Sequence, residues 1–235
     1  MMFDELDALF SRTSTDAARD DYRREVVEHN ALGKPTQKSR ALTFRHLAEL
    51  YGLDPSIAVF RVFRRLWEAE ELARPILALM LALVRDPVLR LSESFILNRS
   101  PGAIVRREDV EEFLATAEPD RFSAASLKSI AQNVNGTWTQ AGYLTGRVKK
   151  TRTVPSVTPS AMTFALFLGH LEGLSGQRLF SSRWTNLLPG SPGELEALAN
   201  SASHRGQIVF LNAGGVKEVR FPGYLTAEEE QWLHE

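Results

Sequence analysis

Ten consecutive apolar residues, Pro75-Ile-Leu-Ala-Leu-Met-Leu-Ala-Leu-Val84, stand between Arg74 and Arg85. A helix that is apolar on every side has no face to turn toward water, so other elements must wrap it. The run is about half the ~20 residues that a bilayer-crossing helix needs. It therefore reads as a buried core helix, and the chain as a multi-helical globule built around it. At 235 residues there is material for one large core or two small ones.

The rest of the first half repeats helical periodicity between Gly and Pro breaks. Ser14 or Thr15 opens a helix to about His29, with Tyr22, Val26 and Val27 on one face. Thr36 caps a second helix to Tyr51, and Gly52-Leu-Asp-Pro55 turns the chain into a third that carries Ile57, Val59, Phe60, Phe63, Leu66 and Trp67. Beyond the apolar helix, further helices are expected over 87–97, 108–117 and 123–141, and a helix, a break and a helix over 160–188. A short helix at 194–201 follows. The one strong β pattern is late: Ile208–Leu211 and Val216–Phe221 alternate around Asn212-Ala-Gly-Gly215, which reads as a hairpin. The expected fold is mainly α, with two helix-turn-helix units, one of them winged-helix-like, and a small C-terminal β-hairpin. The expected divide lies between an N-terminal helical region, 1–118, and a C-terminal winged-helix-like region, 119–235.

Formal net charge is −1, so no global field draws the chain to polyanions; any such affinity must come from segregated charge. Segregation is present. Residues 1–31 hold eight acids against four arginines, whereas 32–67 hold seven bases against two acids. Arg147-Val-Lys-Lys-Thr-Arg152 places four cations in six residues.

Two segments can use that charge. In 43–67, two helices joined by a Gly-containing turn, with Ala48 at their crossing, fit a helix-turn-helix. Ser56, Arg61, Arg64 and Arg65 would then face DNA, with Lys34, Lys38 and Arg40 supplying further phosphate contacts. A plain αα-hairpin accounts for the same spacing. In 123–154, Leu127, Ile130, Ala131, Val134, Trp138, Ala141 and Leu144 form a buried stripe. Lys128, Ser129, Gln132, Asn133 and Asn135 are left as a polar face able to read guanine or adenine edges. Arg147, Lys149, Lys150 and Arg152 follow as a basic wing; a solvated surface is the plainer alternative.

Catalytic chemistry finds little support. The histidines are scattered, without His-x-x-x-His spacing, and no nucleophile elbow, phosphate loop or dinucleotide fingerprint occurs. The absence of cysteine excludes zinc ribbons, disulfides and thiol nucleophiles, and fits a reducing cytoplasm. Met1-Met-Phe-Asp-Glu-Leu-Asp7 has neither the basic nor the apolar region of a secretory signal. No catalytic residue, metal or cofactor is expected, nor a membrane association.

Taken in order, the segments resemble the BrxA family of bacteriophage-exclusion (BREX) phage-defence systems. The similarity lies in Val26-Val-Glu-His-Asn-Ala-Leu32, the Arg-rich helix at 61–67, the Leu/Ala helix at 73–85, Glu108–Phe113, and the close Gln140-Ala-Gly-Tyr-Leu144. It spans residues 15–190, and the chain departs from the pattern beyond 190, including the hairpin at 207–221. The resemblance implies a helical monomer that binds double-stranded DNA without catalysis, beside methyltransferase, ATPase and phosphatase-like subunits. Two other roles remain open: a protein-interaction scaffold within such a complex, and a helix-turn-helix transcriptional regulator.

Overall fold

The computed structural model describes residues 1–233. In chain order the elements are α1 (Phe3–Phe10), α2 (Arg19–Arg23), which continues as a π turn over Arg24–Glu28, α3 (Gln37–Tyr51), α4 (Ala58–Ala69), α5 (Arg74–Arg85) and α6 (Pro87–Leu97). Then come β1 (Ile104–Val105), α7 (Arg107–Ala117), α8 (Ala124–Gln140), β2 (Leu144–Thr145) and β3 (Lys150–Arg152). The remainder is α9 (Pro159–Leu171), α10 (Arg183–Leu187), α11 (Pro192–His204), β4 (Val209–Ala213), β5 (Val216–Arg220) and α12 (Ala227–Trp232). The protein is mostly helical, as its periodicity predicts. Among the described residues no helix is long and apolar enough to cross a membrane.

Most helix starts sit where their capping residues stand. Thr36, Ser123 and Ser191 accept backbone N–H bonds from the first turns of α3, α8 and α11. Asp86 accepts from both Val88 and Leu89, with Pro87 in the first turn of α6. The apolar helix α5 is buried along its whole length from Ile76 to Leu83. Its end is capped by Arg90, whose guanidinium donates to the carbonyls of Leu83 (2.9 Å) and Val84 (2.6 Å).

Differences from the sequence reading have local causes. Helix α1 was not foreseen, although Leu6, Leu9 and Phe10 fall at helical spacing and are buried. The helix expected from Ser14 begins only at Arg19. Strands β1 and β2 are two residues each, too short to alternate visibly. They flank β3 in an antiparallel sheet of order β1-β3-β2, with Ile104 opposite Thr151 and Leu144 opposite Arg152. The late hairpin forms as expected: Ala213 pairs with Val216 across Gly214 and Gly215, whose φ values of 60° and 84° suit a tight turn.

The compact units are discontinuous in sequence. Unit 1 comprises Met1–Leu53 and Ala78–Ser156; unit 2 comprises Asp54–Leu77 and the chain from Val157 on. The expected divide at 118/119 instead falls within unit 1, between α7 and α8, which pack closely on each other. The unit boundary at Leu53/Asp54 lies in the turn of the predicted first helix-turn-helix, so α3 and α4 belong to different units.

Unit 1 centres on Trp138, whose indole N–H donates to Ser92 Oγ at 2.8 Å, while that hydroxyl donates to the Leu89 carbonyl at 2.6 Å. Tyr143 meets the Trp138 ring edge-on, at a centroid distance of 5.1 Å. Unit 2 is built on α9, buried from Pro159 to Gly169. Phe63 and Trp67 of α4 and Phe164 of α9 pack ring against ring, and Phe167 contacts both Phe221 and Tyr224.

Candidate functional site

In unit 1 the chain from α8 through β2 to β3 delivers a polar helix face directly into a basic loop. Lys128, Ser129 and Gln132 are exposed on α8, opposite the buried side carrying Ala131, Val134 and Trp138. Gly142, at φ 82°, ends the helix, and its added Cβ would press on Pro155 at 3.2 Å. Gly146 opens the loop at φ 98°, where a Cβ would lie 2.1 Å from the Lys149 carbonyl oxygen. Only glycine fits there, so the tight return of the chain through Arg147, Val148 and Lys149 depends on it.

The basic run then divides by function. Arg147 and Lys149 at the loop tip are exposed, and among the described residues neither has an ion-pair partner; Lys128 is likewise unpaired. Lys150 is half-buried and donates to the Gly146 carbonyl at 2.7 Å, closing the loop. Arg152 is not a surface cation. It is 8 % exposed, and donates to the carbonyls of Ile96 (3.1 Å), Tyr143 (3.3 Å) and Thr153. Its guanidinium also lies 5.2 Å from the centroid of the Tyr143 ring. Desolvation lowers its pKa, and burial raises that of the Tyr143 phenol. Arg152 thus fastens the base of the loop and leaves the tip free; its expected role in contacting DNA is corrected on that ground.

The loop, the start of α7 and α8 enclose a groove of about 680 Å³. Arg106, Arg107, Arg147, Lys149 and Lys150 supply its positive charge, and Gln132, Asn135 and Gly136 its helical wall. Arg107 is committed to Glu108 (2.5 Å) and Glu111 (2.6 Å). Arg106 and Arg107 were missed in the sequence, although two adjacent arginines opening a helix were a visible signal. Asn133 faces elsewhere: it lines a second hollow with Met2, His46, Leu50, Arg85 and Thr137. Gln132 and Asn133 therefore do not share one reading surface. Asn135, expected on the polar face, is buried.

The other predicted cations are mostly engaged. Lys34 pairs with Glu5 at 3.1 Å, Arg40 donates to the Lys34 carbonyl at 3.2 Å, and Lys38 is exposed. In unit 2, Arg64 is 1 % exposed and bonded to Glu68, because Phe60, Phe63, Arg64 and Trp67 recur at the spacing of one buried helix face. Arg61 donates to the carbonyls of Pro55 and Tyr224 and binds Glu229 at 2.6 Å. Arg65 is exposed, 5.2 Å from the centroid of the Tyr224 ring. Arg61 and Arg64 hold unit 2 together, which corrects their expected place on a DNA-facing surface. No group of three or more His, Asp or Glu able to hold a metal ion occurs among the described residues. Comparison with protein-family models and with curated proteins finds no match.

Proposed function

We propose that unit 1 binds double-stranded DNA through a winged helix-turn-helix, with α8 as the reading helix and the Thr145–Lys150 loop as the wing. The supporting observation is the order α6-β1-α7-α8-β2-β3 with sheet order β1-β3-β2, an order that a winged helix would also have. At the loop tip, Arg147 and Lys149 stand unpaired and line one groove with the exposed Gln132 of α8, while Lys128 is exposed one turn earlier on that helix. Unpaired cations attract phosphates, and the helix offers amide and ammonium groups to base edges. Binding of this kind needs no catalytic group. With the resemblance to BrxA proteins, it supports a role as a DNA-binding accessory subunit in phage defence, beside the modifying and ATP-hydrolysing components. Unit 2, whose Arg61 and Arg64 are held internally, favours a scaffold role for that half of the chain.

The test is a titration of duplex affinity against salt. Displaced counterions make the logarithm of the binding constant fall linearly with the logarithm of salt, by about 0.9 per phosphate contacted. Duplex affinity that ignores salt, or an R147E/K149E variant that binds as tightly as the parent, would rule the reading out.

A further inference from the structure

We propose that the tip Arg147-Val148-Lys149 enters the minor groove of the duplex and selects against the guanine 2-amino group. The groove between α8 and the loop then seats the sugar-phosphate strand that parts the two DNA grooves. The inference rests on the duplex binding proposed for unit 1 and names the feature of the duplex that the loop selects.

The order of surfaces carries the placement. In B-form DNA a sugar-phosphate strand lies between the major groove and a minor groove about 6 Å wide. A helix in the major groove therefore has a strand beside it and the minor groove beyond that strand. Unit 1 presents α8 with Gln132, then the groove, then the loop. Arg106, Arg147, Lys149 and Lys150 line the groove, and their charges suit phosphates. Glu108 lines it too and is bound by Arg107 at 2.5 Å.

The loop is built to project. Strands β2 and β3 stay paired as far as Thr145 and Thr151, and Lys150 Nζ donates to the Gly146 carbonyl at 2.7 Å. At the apex Val148 is 95 % exposed, more than any other large apolar side chain among the described residues. A lone exposed valine is ordinary on a protein surface. This one stands between two exposed cations at the end of a closed loop.

The tip side chains share one chemical property: none can accept a hydrogen bond. Guanidinium and ammonium groups only donate, and valine does neither. In the minor groove A·T pairs offer only acceptors, adenine N3 and thymine O2, whereas G·C adds the guanine 2-amino donor. Pressed against this tip, that donor loses water and gains no partner. Pairs that lack it are therefore preferred.

The test compares duplexes of equal length made of inosine·cytosine or guanine·cytosine pairs. Inosine keeps the O6 and N7 of guanine in the major groove and lacks only the 2-amino group, so the comparison isolates the minor groove. By fluorescence anisotropy the inosine duplex should bind at least about fivefold more tightly, the factor for one unpaired donor. Val148→Asn supplies an acceptor for the amine and should bring the two affinities together. Arg106→Ala should lower the salt slope by about 0.9, the share of one phosphate. Equal affinity of the parent for both duplexes overturns the minor-groove placement and leaves salt-dependent duplex binding standing. Absence of salt-dependent binding to either duplex overturns the duplex reading itself. A Val148→Asn protein with undiminished preference overturns the role given to Val148. An unchanged salt slope in Arg106→Ala removes the strand from the groove.

Discussion

Two basic segments, the loop and strand at Arg147–Arg152 and the helix at Arg61–Arg65, look alike on paper and differ in the fold. In the first, the charge separates along the chain: Arg152 is sunk under the loop and bonded to three carbonyls, while Arg147 and Lys149 stay in water. In the helix, Arg64 lies in the buried stripe and Arg61 is bound by Glu229, a residue 168 positions away. A count of positive residues therefore says little about available positive charge. What matters is whether the fold buries each cation or brings it a carbonyl or a carboxylate, from nearby as for Arg64 or from far away as for Arg61.

That contrast can be broken experimentally, beginning with the deepest cation. Arg152→Ala strands three carbonyls and empties a buried site, so unit 1 should lose about 3 kcal/mol or more, read from urea melts. Retained stability would mean that the base of the loop is held by something else. Arg64→Ala should cost about 2 kcal/mol, through lost packing and the bond to Glu68, while salt-dependent duplex affinity stays intact. A loss of affinity without a loss of stability would add this helix to the proposed DNA-contacting surface.

The Arg61–Glu229 tie gives a smaller effect with a pH signature. Burial opposes ionisation of Glu229, but hydrogen bonds from the Thr226 N–H and from Arg61 outweigh it, and the carboxyl titrates below its ordinary value. A depressed carboxylate stabilises the fold above its unfolded pKa, and that stability is lost as pH falls through the folded value. Glu229→Gln should therefore cost about 1 kcal/mol near neutrality and nothing in acid, measured by thermal melts across pH. Equal destabilisation at both ends would remove the ion pair as the cause. Gly136→Ala should stabilise by about 0.5–1 kcal/mol, the helix-propensity gain of alanine. The smallest stability effect is expected for the double variant Arg147→Ala, Lys149→Ala, within about 0.5 kcal/mol of the parent. Its duplex salt slope should nonetheless fall by about 2.

Much of the fold was legible. The caps at Thr36, Ser123 and Asp86, the apolar run of α5 and the Gly214-Gly215 hairpin are local signals, and the structure follows them. The same stripe logic could have flagged Arg64, which shares its face with Phe60, Phe63 and Trp67. The candidate site was legible only in outline. The basic loop after a polar helix was visible, but the parting of Gln132 from Asn133 and the burial of Asn135 depend on what packs against α8. Strands β1 and β2 carry no pattern of their own, because two residues become a strand only when β3 lies between them.

The sequence by itself determined the helices, their caps, the hairpin and the clustering of charge, since each depends on residues within a turn or two of one another. Tertiary structure decided that Arg61 and Arg152 are engaged while Arg147 and Lys149 stay exposed. It also folded Asp54–Leu77 together with the chain beyond Val157, leaving α3 in the other unit. Those outcomes depend on desolvation and hydrogen bonding between segments far apart in the chain. The fate of Arg152 is set by the Ile96 carbonyl, 56 residues before it, and nothing near it in sequence announces that partner.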